Sequence, residues 1–215
     1  MSPRVVVTKG AGSIDAYVSV LRAVGMEPIE LAAGQRIPAF DAVCLSGGPD
    51  VEPRRYGQEP HETVKTDPDR DALELDELLP RVWEDGSPIL AICRGLQVLN
   101  VFRHGSLLQH IGEAHRATGS DVKPHMVVVD PTSRLAAISG SHLVVNSRHH
   151  QVIDRLGDGL RSTAWADQYV EAVEAPERPW ILGVQWHPER TGEVDPAAVR
   201  IFEAFAGAAR RVPAR

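Results

Sequence analysis

Apolar residues follow two rhythms along the first half of the chain. Arg4–Thr8 holds three consecutive valines and reads as a strand buried on both faces. Tyr17, Leu21 and Val24 recur at helical spacing, and Gly25 is a natural helix stop. Ala42–Ser46 is a second apolar strand, ended by Gly47-Gly48-Pro49. Asp67-Pro68 has the form of a helix start, an N-cap followed by proline at the first helical position. Leu75, Leu78, Leu79 and Val82 then mark one buried face, and Pro80 inside that run predicts a kink or break near Leu79. Pro88–Cys93 is a third strand, and Leu96, Leu99 and Phe102 mark a helix that begins directly after it.

The second half has a different rhythm. Met126–Asp130, Leu143–Asn146, Tyr169–Ala175 and Trp180–Trp186 read as strands, followed by a helix from about Pro196 with Val199, Phe202 and Ala206 on one face. The Arg210–Arg215 tail is expected to fray. Strands alternating with helices imply a parallel sheet covered on both faces, and the later strand-rich stretch implies antiparallel additions to it. The expected fold is therefore α/β, a three-layer α/β/α sandwich. No repeat, low-complexity stretch or linker divides the chain, so residues 1–215 are expected to form a single domain.

Charge narrows the function. The net charge is −6, and 20 of the 23 basic residues are arginines scattered without a stripe. Binding to nucleic acid or an anionic membrane needs clustered cations, so neither partner is expected. Residues 1–8 have too short an apolar run for a signal peptide, and no stretch approaches the roughly 20 apolar residues of a membrane span. Two cysteines, Cys44 and Cys93, make no disulfide framework and suit a reducing compartment. A cytoplasmic protein is expected.

The sharpest local feature is Ile89-Leu90-Ala91-Ile92-Cys93-Arg94-Gly95-Leu96-Gln97. An apolar strand ends at a cysteine, and a helix starts at once. Such a turn holds the thiol out at the C-terminal end of the sheet, where open α/β sheets place their ligands. The helix N-terminus beneath it favours negative charge on the sulfur. Gly95 would let two backbones approach closely. The same segment also fits a small apolar residue in a core strand. Cys44, mid-strand with no chemistry beside it, has only that structural reading.

A thiol nucleophile needs a base, and the base needs an orienter. His187 has the best setting of the nine histidines, in Val184-Gln185-Trp186-His187-Pro188-Glu189 after an apolar strand. Pro188 biases His187 to an extended conformation, and alternate residues of an extended segment share a side. Glu189 can then reach one ring nitrogen while the other faces Cys93. The third element is Ser46-Gly47-Gly48-Pro49, whose glycines expose backbone N–H groups. An oxyanion needs such donors, and the Gly48 and Arg94 amides are the candidates. Gly-Gly-Pro is also ordinary turn chemistry.

Together these residues carry a resemblance. Ser46-Gly47-Gly48-Pro49-Asp50-Val51 with Pro53 and Tyr56-Gly57 comes first, then Arg70-Asp71 with Glu74, then Ile92–Val101. Asn146-Ser147-Arg148-His149-His150-Gln151 and Gly183–Glu189 follow. This order resembles the class I glutamine amidotransferase-like hydrolases, with their flavodoxin-like fold, and is most similar to the γ-glutamyl-γ-aminobutyrate hydrolase branch, the peptidase C26-like group. The resemblance implies Cys93 as nucleophile, His187 as base, Glu189 as its orienter, and Gly48 and Arg94 as oxyanion donors. It implies that Gly47, Gln97, His149, His150 and Gln151 line the substrate pocket. The implied substrate is a small-molecule γ-glutamyl amide, cleaved through a thioester to glutamate and an amine, with no cofactor and no metal. A homodimer is compatible with it. Two stretches depart from the branch: His104-Gly105-Ser106-Leu107 where Gly-Gly-Thr-Leu is usual, and Asp167-Gln168-Tyr169 where Asp-Gly precedes the Glu-Ala strand. Both bear on the amine side of the pocket.

Two other functions compete. One is a glutaminase subunit that delivers ammonia to a partner synthase, and the other is a non-catalytic binding protein on the same fold. A thiol variant of the α/β-hydrolases would need its acid before its histidine on a separate strand, whereas Glu189 follows His187. Adjacent His149 and His150 point to opposite faces of a strand and suit one metal poorly. His115 and His125, flanking a loop with Gly119-Ser120, read as solvated loop histidines. The acidic stretch Asp67–Asp85 reads as a solvated face with an Arg70–Glu74 pair at i,i+4. The Arg94 side chain is a second candidate partner for a substrate carboxylate, and the four tryptophans read as core or pocket wall.

Overall fold

The computed structural model describes residues 2–112 and 121–212. His115, Gly119 and Ser120 lie outside the described residues. In chain order the elements are β1 (Arg4–Thr8), α1 (Asp15–Ala23), β2 (Glu27–Leu31), β3 (Ala42–Leu45), α2 (Pro68–Asp71), a π-helical stretch (Ala72–Leu78), α3 (Leu79–Asp85), β4 (Ile89–Ile92) and α4 (Arg94–Phe102). Then follow β5 (Leu107–Leu108), β6 (His125–Val129), α5 (Arg134–Ser139), β7 (His142–Val145), β8 (Val152–Ile153), β9 (Arg161–Ala166), β10 (Tyr169–Glu174), β11 (Ile181–Val184) and α6 (Pro196–Ala209).

The main sheet has the order β2-β1-β3-β4-β11-β10-β9-β6-β7, and β5 and β8 form a separate ribbon. Strands β2, β1, β3, β4 and β11 pair in parallel, and β11, β10, β9, β6 and β7 pair antiparallel. The expected α/β sandwich with antiparallel additions is therefore observed. Alternation along β1 shows why both faces are covered. Val5 and Val7 pack with Tyr17 and Leu21 of α1 and Phe202 and Phe205 of α6. Val6 packs on the other face with Leu78, Leu79 and Val82 of the π-helical stretch and α3, and with Leu96 and Leu99 of α4.

Five of these elements lie outside the expected strands and helices, the two-residue strands β5 and β8 among them. Strand β2 is an edge strand with Pro28 and exposed Glu27 and Glu30, so it lacks an apolar run. Strand β9, Arg-Ser-Thr-Ala-Trp-Ala, is held by its neighbours β10 and β6 more than by composition. Helix α5 is a short helix of six residues capped by the Ser133 hydroxyl, which accepts from the Ala136 N–H at 2.9 Å. Pro80 does not break its helix. Residues Ala72–Leu78 widen to π geometry, and the helix resumes with Pro80 in the first turn of α3, where its missing N–H costs least.

The reading of Asp67–Asp85 as a solvated face holds for Asp69, Asp76, Glu77, Glu84 and Asp85, which are exposed, and fails for three charged residues. Arg70, Asp71 and Glu74 are all buried, because this helix packs its charged side under the loop that follows β3. The i,i+4 pair itself is present, with Arg70 Nε 3.0 Å from Glu74 Oε1. No described helix is long and apolar enough to cross a membrane.

Candidate active site

Cys93 joins β4 to α4 with φ 54° and ψ −108°. A residue with a Cβ occupies this region at a cost of about 1–3 kcal/mol, and such outliers cluster where side-chain placement matters. The turn is held from below, since the Cys93 N–H donates to Val184 O at 2.8 Å. Gly95 is required by the close approach of α4 to β3: a Cβ there would overlap the Leu45 carbonyl oxygen. Arg94 opens α4, so its N–H is among the first-turn donors that have no intrahelical acceptor.

His187 lies three residues beyond β11, the strand beside β4, and the Cys93 thiol is near enough to raise the pKa of its imidazole. Its backbone is clamped by Asn146, whose Oδ1 accepts the His187 N–H at 2.8 Å and whose Nδ2 donates to His187 O at 3.0 Å. Glu189 Oε1 lies 2.7 Å from His187 Nδ1. The contact is the expected one, but its geometry is not an extended strand. Arg190 N–H donates to His187 O at 3.2 Å, and this turn swings Glu189 back onto the ring. Burial disfavours charge on His187, but Glu189 and Cys93 outweigh it and push the imidazole pKa up to about 10. An imidazolium between a carboxylate and a sulfur is an acid–base group already holding a proton to deliver.

Sequence reasoning missed Tyr17 and Gln185. The Tyr17 hydroxyl accepts the Gly47 N–H at 3.0 Å and lies 3.4 Å from His187 Nδ1. Burial first, then the charge of Glu189, holds this phenol well above its ordinary pKa, so it remains neutral. Tyr17 looked like a core residue because it sits on the buried face of α1, and nothing local distinguishes its hydroxyl end. Gln185 Nε2 donates to Cys93 Sγ at 3.6 Å, and Gln185 Oε1 accepts from Gln97 Nε2 at 3.2 Å. Gln97 also donates to Gln151 O at 3.1 Å. Gln97 is thus buried behind the sulfur and held by two protein acceptors.

The loop Ser46–Pro49 is shaped by Arg70, which donates to Gly47 O at 3.0 Å and Ser46 O at 2.8 Å. The Arg94 guanidinium, offered above as a partner for a substrate carboxylate, is not available for that role. It is 1% exposed and pairs with Glu74 and Asp71. Burial opposes the charge on Glu74, but Arg94 and Arg70 hold its carboxyl below the usual range. Asp71 also accepts the Glu52 N–H at 2.8 Å. This buried group of two arginines and two carboxylates joins the loop after β3 to the first residue of α4, the two segments that carry the Gly48 and Arg94 amides.

His149 and His150 diverge as expected. His150 Nε2 lies 3.0 Å from Asp50 Oδ1, and His149 Nε2 lies 3.7 Å from Glu171 Oε1. His125 is not a solvated loop residue: it opens β6, half-buried, with Nε2 3.5 Å from the same carboxylate. Gly47, Gly48, Tyr17, His187, Glu189 and Arg190 line a cavity of about 340 Å³ beside the imidazole. No group of three or more histidine, cysteine, aspartate or glutamate side chains among the described residues is placed to hold a metal ion. Cys44 is fully buried in β3, and burial pushes its thiol pKa far up. Iodoacetamide at neutral pH is expected to label Cys93 and spare Cys44 in the folded protein. Peptide mass mapping checks this, and equal labelling of both would contradict it.

Residues 6–189 match the family model described as Peptidase C26. The chain is 41% identical over 175 residues to the glutamine amidotransferase-like protein YvdE of Lactococcus lactis, covering 77% of this chain and 73% of that protein. It is 36% identical over 186 residues to a γ-glutamyl-γ-aminobutyrate hydrolase of Escherichia coli O157:H7, covering 80% and 72%. A solved structure of PurLQS from Thermotoga maritima shares the fold, with TM-score 0.67 at 18% identity over 96% of this chain and 99% of that one.

Proposed function

The chain belongs to the peptidase C26 family, and from that premise we propose that it hydrolyses the γ-glutamyl amide bond of a small γ-glutamyl-γ-aminobutyrate-like compound. The observation that carries the proposal is the strained Cys93 at the β4–α4 turn, beside the paired strand β11 whose continuation carries His187, itself held by Glu189 at 2.7 Å. The Cys93 sulfur attacks the amide carbonyl, and the oxyanion that forms is met by the Gly48 and Arg94 N–H groups. His187 gives its proton to the departing amine, leaving a thioester. The neutral imidazole then takes a proton from water, which attacks the thioester and releases glutamate and the thiol. Glu189 holds the ring and supports its charge, and Gln185 steadies the sulfur. The E. coli relative supports this substrate class, and two free thiols support a cytoplasmic setting.

The test is to trap the thioester. The protein is incubated with a panel of γ-glutamyl amides, quenched, and the Cys93 peptide weighed. A glutamyl adduct on Cys93 is expected, and its absence with every amide overturns the reading. The name of the L. lactis relative favours a second reading, a glutaminase that passes ammonia to a synthase. Glutaminase activity that appears only with a partner protein would select it.

The raised imidazole pKa has a kinetic consequence. Protonation of the leaving amine needs the imidazolium, so activity should fall as pH rises through about 10. Glu189→Gln removes the carboxylate that stabilises the cation. The alkaline limb of the kcat/KM profile should therefore move to lower pH, with a loss of about 10²–10⁴-fold at the optimum. An unmoved limb would remove Glu189 from this role.

A further inference from the structure

A γ-glutamyl group carries an α-ammonium, and burying that charge requires an anion within reach. The buried carboxylates among the described residues are Asp71, Glu74, Glu171, Glu174 and Glu189. Asp71 and Glu74 hold Arg94. Glu174 accepts the Arg134 and Leu135 N–H groups at 3.2 and 2.9 Å. Glu189 holds His187. Glu171 remains: it is 0% exposed, and neither of its oxygens has a hydrogen-bond partner among the described residues. The His125 and His149 rings stand at 3.5 and 3.7 Å, distances of charge pairing rather than hydrogen bonding.

The sheet places Glu171 beside the residue that touches the Cys93 sulfur. Ala172 of β10 opposes Val184 of β11, and the Gln185 N–H donates to Glu171 O at 2.8 Å. Glu171 and Gln185 are therefore directly opposed across an antiparallel pair, so their side chains share one face with Cβ atoms about 4.5–5.5 Å apart. The Gln185 amide in turn touches Cys93 Sγ. In a γ-glutamyl group the attacked carbonyl carbon and the α-nitrogen are four bonds apart, about 5 Å when extended. A second buried group lies along the same contacts. Both side-chain amide atoms of Gln151 lack a hydrogen-bond partner among the described residues, while its backbone oxygen accepts from Gln97. Buried polar atoms left open in this way are a signature of a missing ligand or water.

We propose that Glu171 is the anion that receives the α-ammonium of the γ-glutamyl group, with the Gln151 amide at the neighbouring α-carboxylate. This rests on the γ-glutamyl reading above and extends it: the enzyme selects an amino-acid head by charge, and an acyl chain without the amine is a poor substrate.

Two measurements test it. The first compares kcat/KM for γ-glutamyl-p-nitroanilide with the des-amino compound glutaryl-p-nitroanilide. The wild-type protein should prefer the γ-glutamyl compound, and Glu171→Gln should reduce that preference about 10–100-fold, chiefly through KM, as expected for one lost charge-assisted contact. Equal losses on both compounds, or no change in the ratio, would overturn the proposal. The second measures L-glutamate binding to the Cys93→Ser protein by calorimetry, where no reaction is needed. Binding should be present and weakened about 10–100-fold by Glu171→Gln. Absent binding, or binding insensitive to Glu171, also overturns it. If that binding is observed but the wild-type protein cleaves no γ-glutamyl amide, the hydrolase reading fails while the ammonium site stands. Glu171→Asp, which keeps the charge, guards against misfolding of the glutamine variant and should give intermediate values in both.

Discussion

Cys93→Ala should lose γ-glutamyl amide hydrolysis by about 10⁴–10⁶-fold while keeping its fold, because the sulfur is the proposed bond-forming atom and no other described thiol can replace it. Cys44 is sealed in the core on β3. A second substitution separates chemistry from strain. Alanine inherits the φ of 54° and ψ of −108°, whereas glycine adopts that conformation without a Cβ penalty. Cys93→Gly should be equally inactive but more stable than Cys93→Ala. The strain of about 1–3 kcal/mol is offset by about 0.5–1 kcal/mol of extra chain entropy in the unfolded glycine variant. A net gain near 1 kcal/mol corresponds to a Tm about 2–4 °C higher in a chain of this size. Calorimetry of the two variants decides the matter. If the glycine variant melts below the alanine variant, the turn stores no strain to release.

Arg94→Met should be the most destabilising of the substitutions considered, by about 3–5 kcal/mol in chemical denaturation at pH 7. The methionine fills much of the arginine's volume, but Asp71 and Glu74 then lie buried with a cation fewer. The pH dependence identifies the cause. Interactions with Arg94 and Arg70 hold the Glu74 carboxyl below its ordinary 4.5, against the effect of burial. The stability it contributes is present above pH 4.5 and lost as pH falls through its lower folded-state value. In Arg94→Met that value rises, so the gap between variant and wild type should narrow as the solution is acidified. A gap independent of pH would show that lost packing, not unpaired charge, is responsible. The network also braces the Ser46–Pro49 loop through Arg70, so a surviving variant should lose activity beyond its stability loss.

The turn that carries Cys93, the proposed nucleophile, was legible because it depends on local rules. A run of apolar residues, a cysteine and a helix with Gly95 at its second residue define a strand–turn–helix unit within nine positions, and sterics at one φ,ψ pair do the rest. The parallel core was legible for the same reason, since β1, β3 and β4 are continuous apolar runs. The contact between His187 and Glu189 was legible too, although Glu189 reaches the ring through a turn rather than along a strand. Strands β2 and β9 were not found, because an edge strand or a strand secured by partners on both sides needs little apolar signal of its own.

What the amino-acid order settled by itself is therefore the set of short-range features: the periodicities, the strand–turn–helix unit around Cys93 and the spacing of His187 and Glu189. What only tertiary structure decided is which polar groups lose water. Arg70, Asp71, Glu74 and Glu171 carry the same composition signal as solvated residues, and Tyr17 the signal of a core residue. Many of their partners are distant in sequence, 20 positions for Arg94 and Glu74 and 170 for Tyr17 and His187. Burial and electrostatic pairing are properties of the packed chain, so no window of sequence contains them.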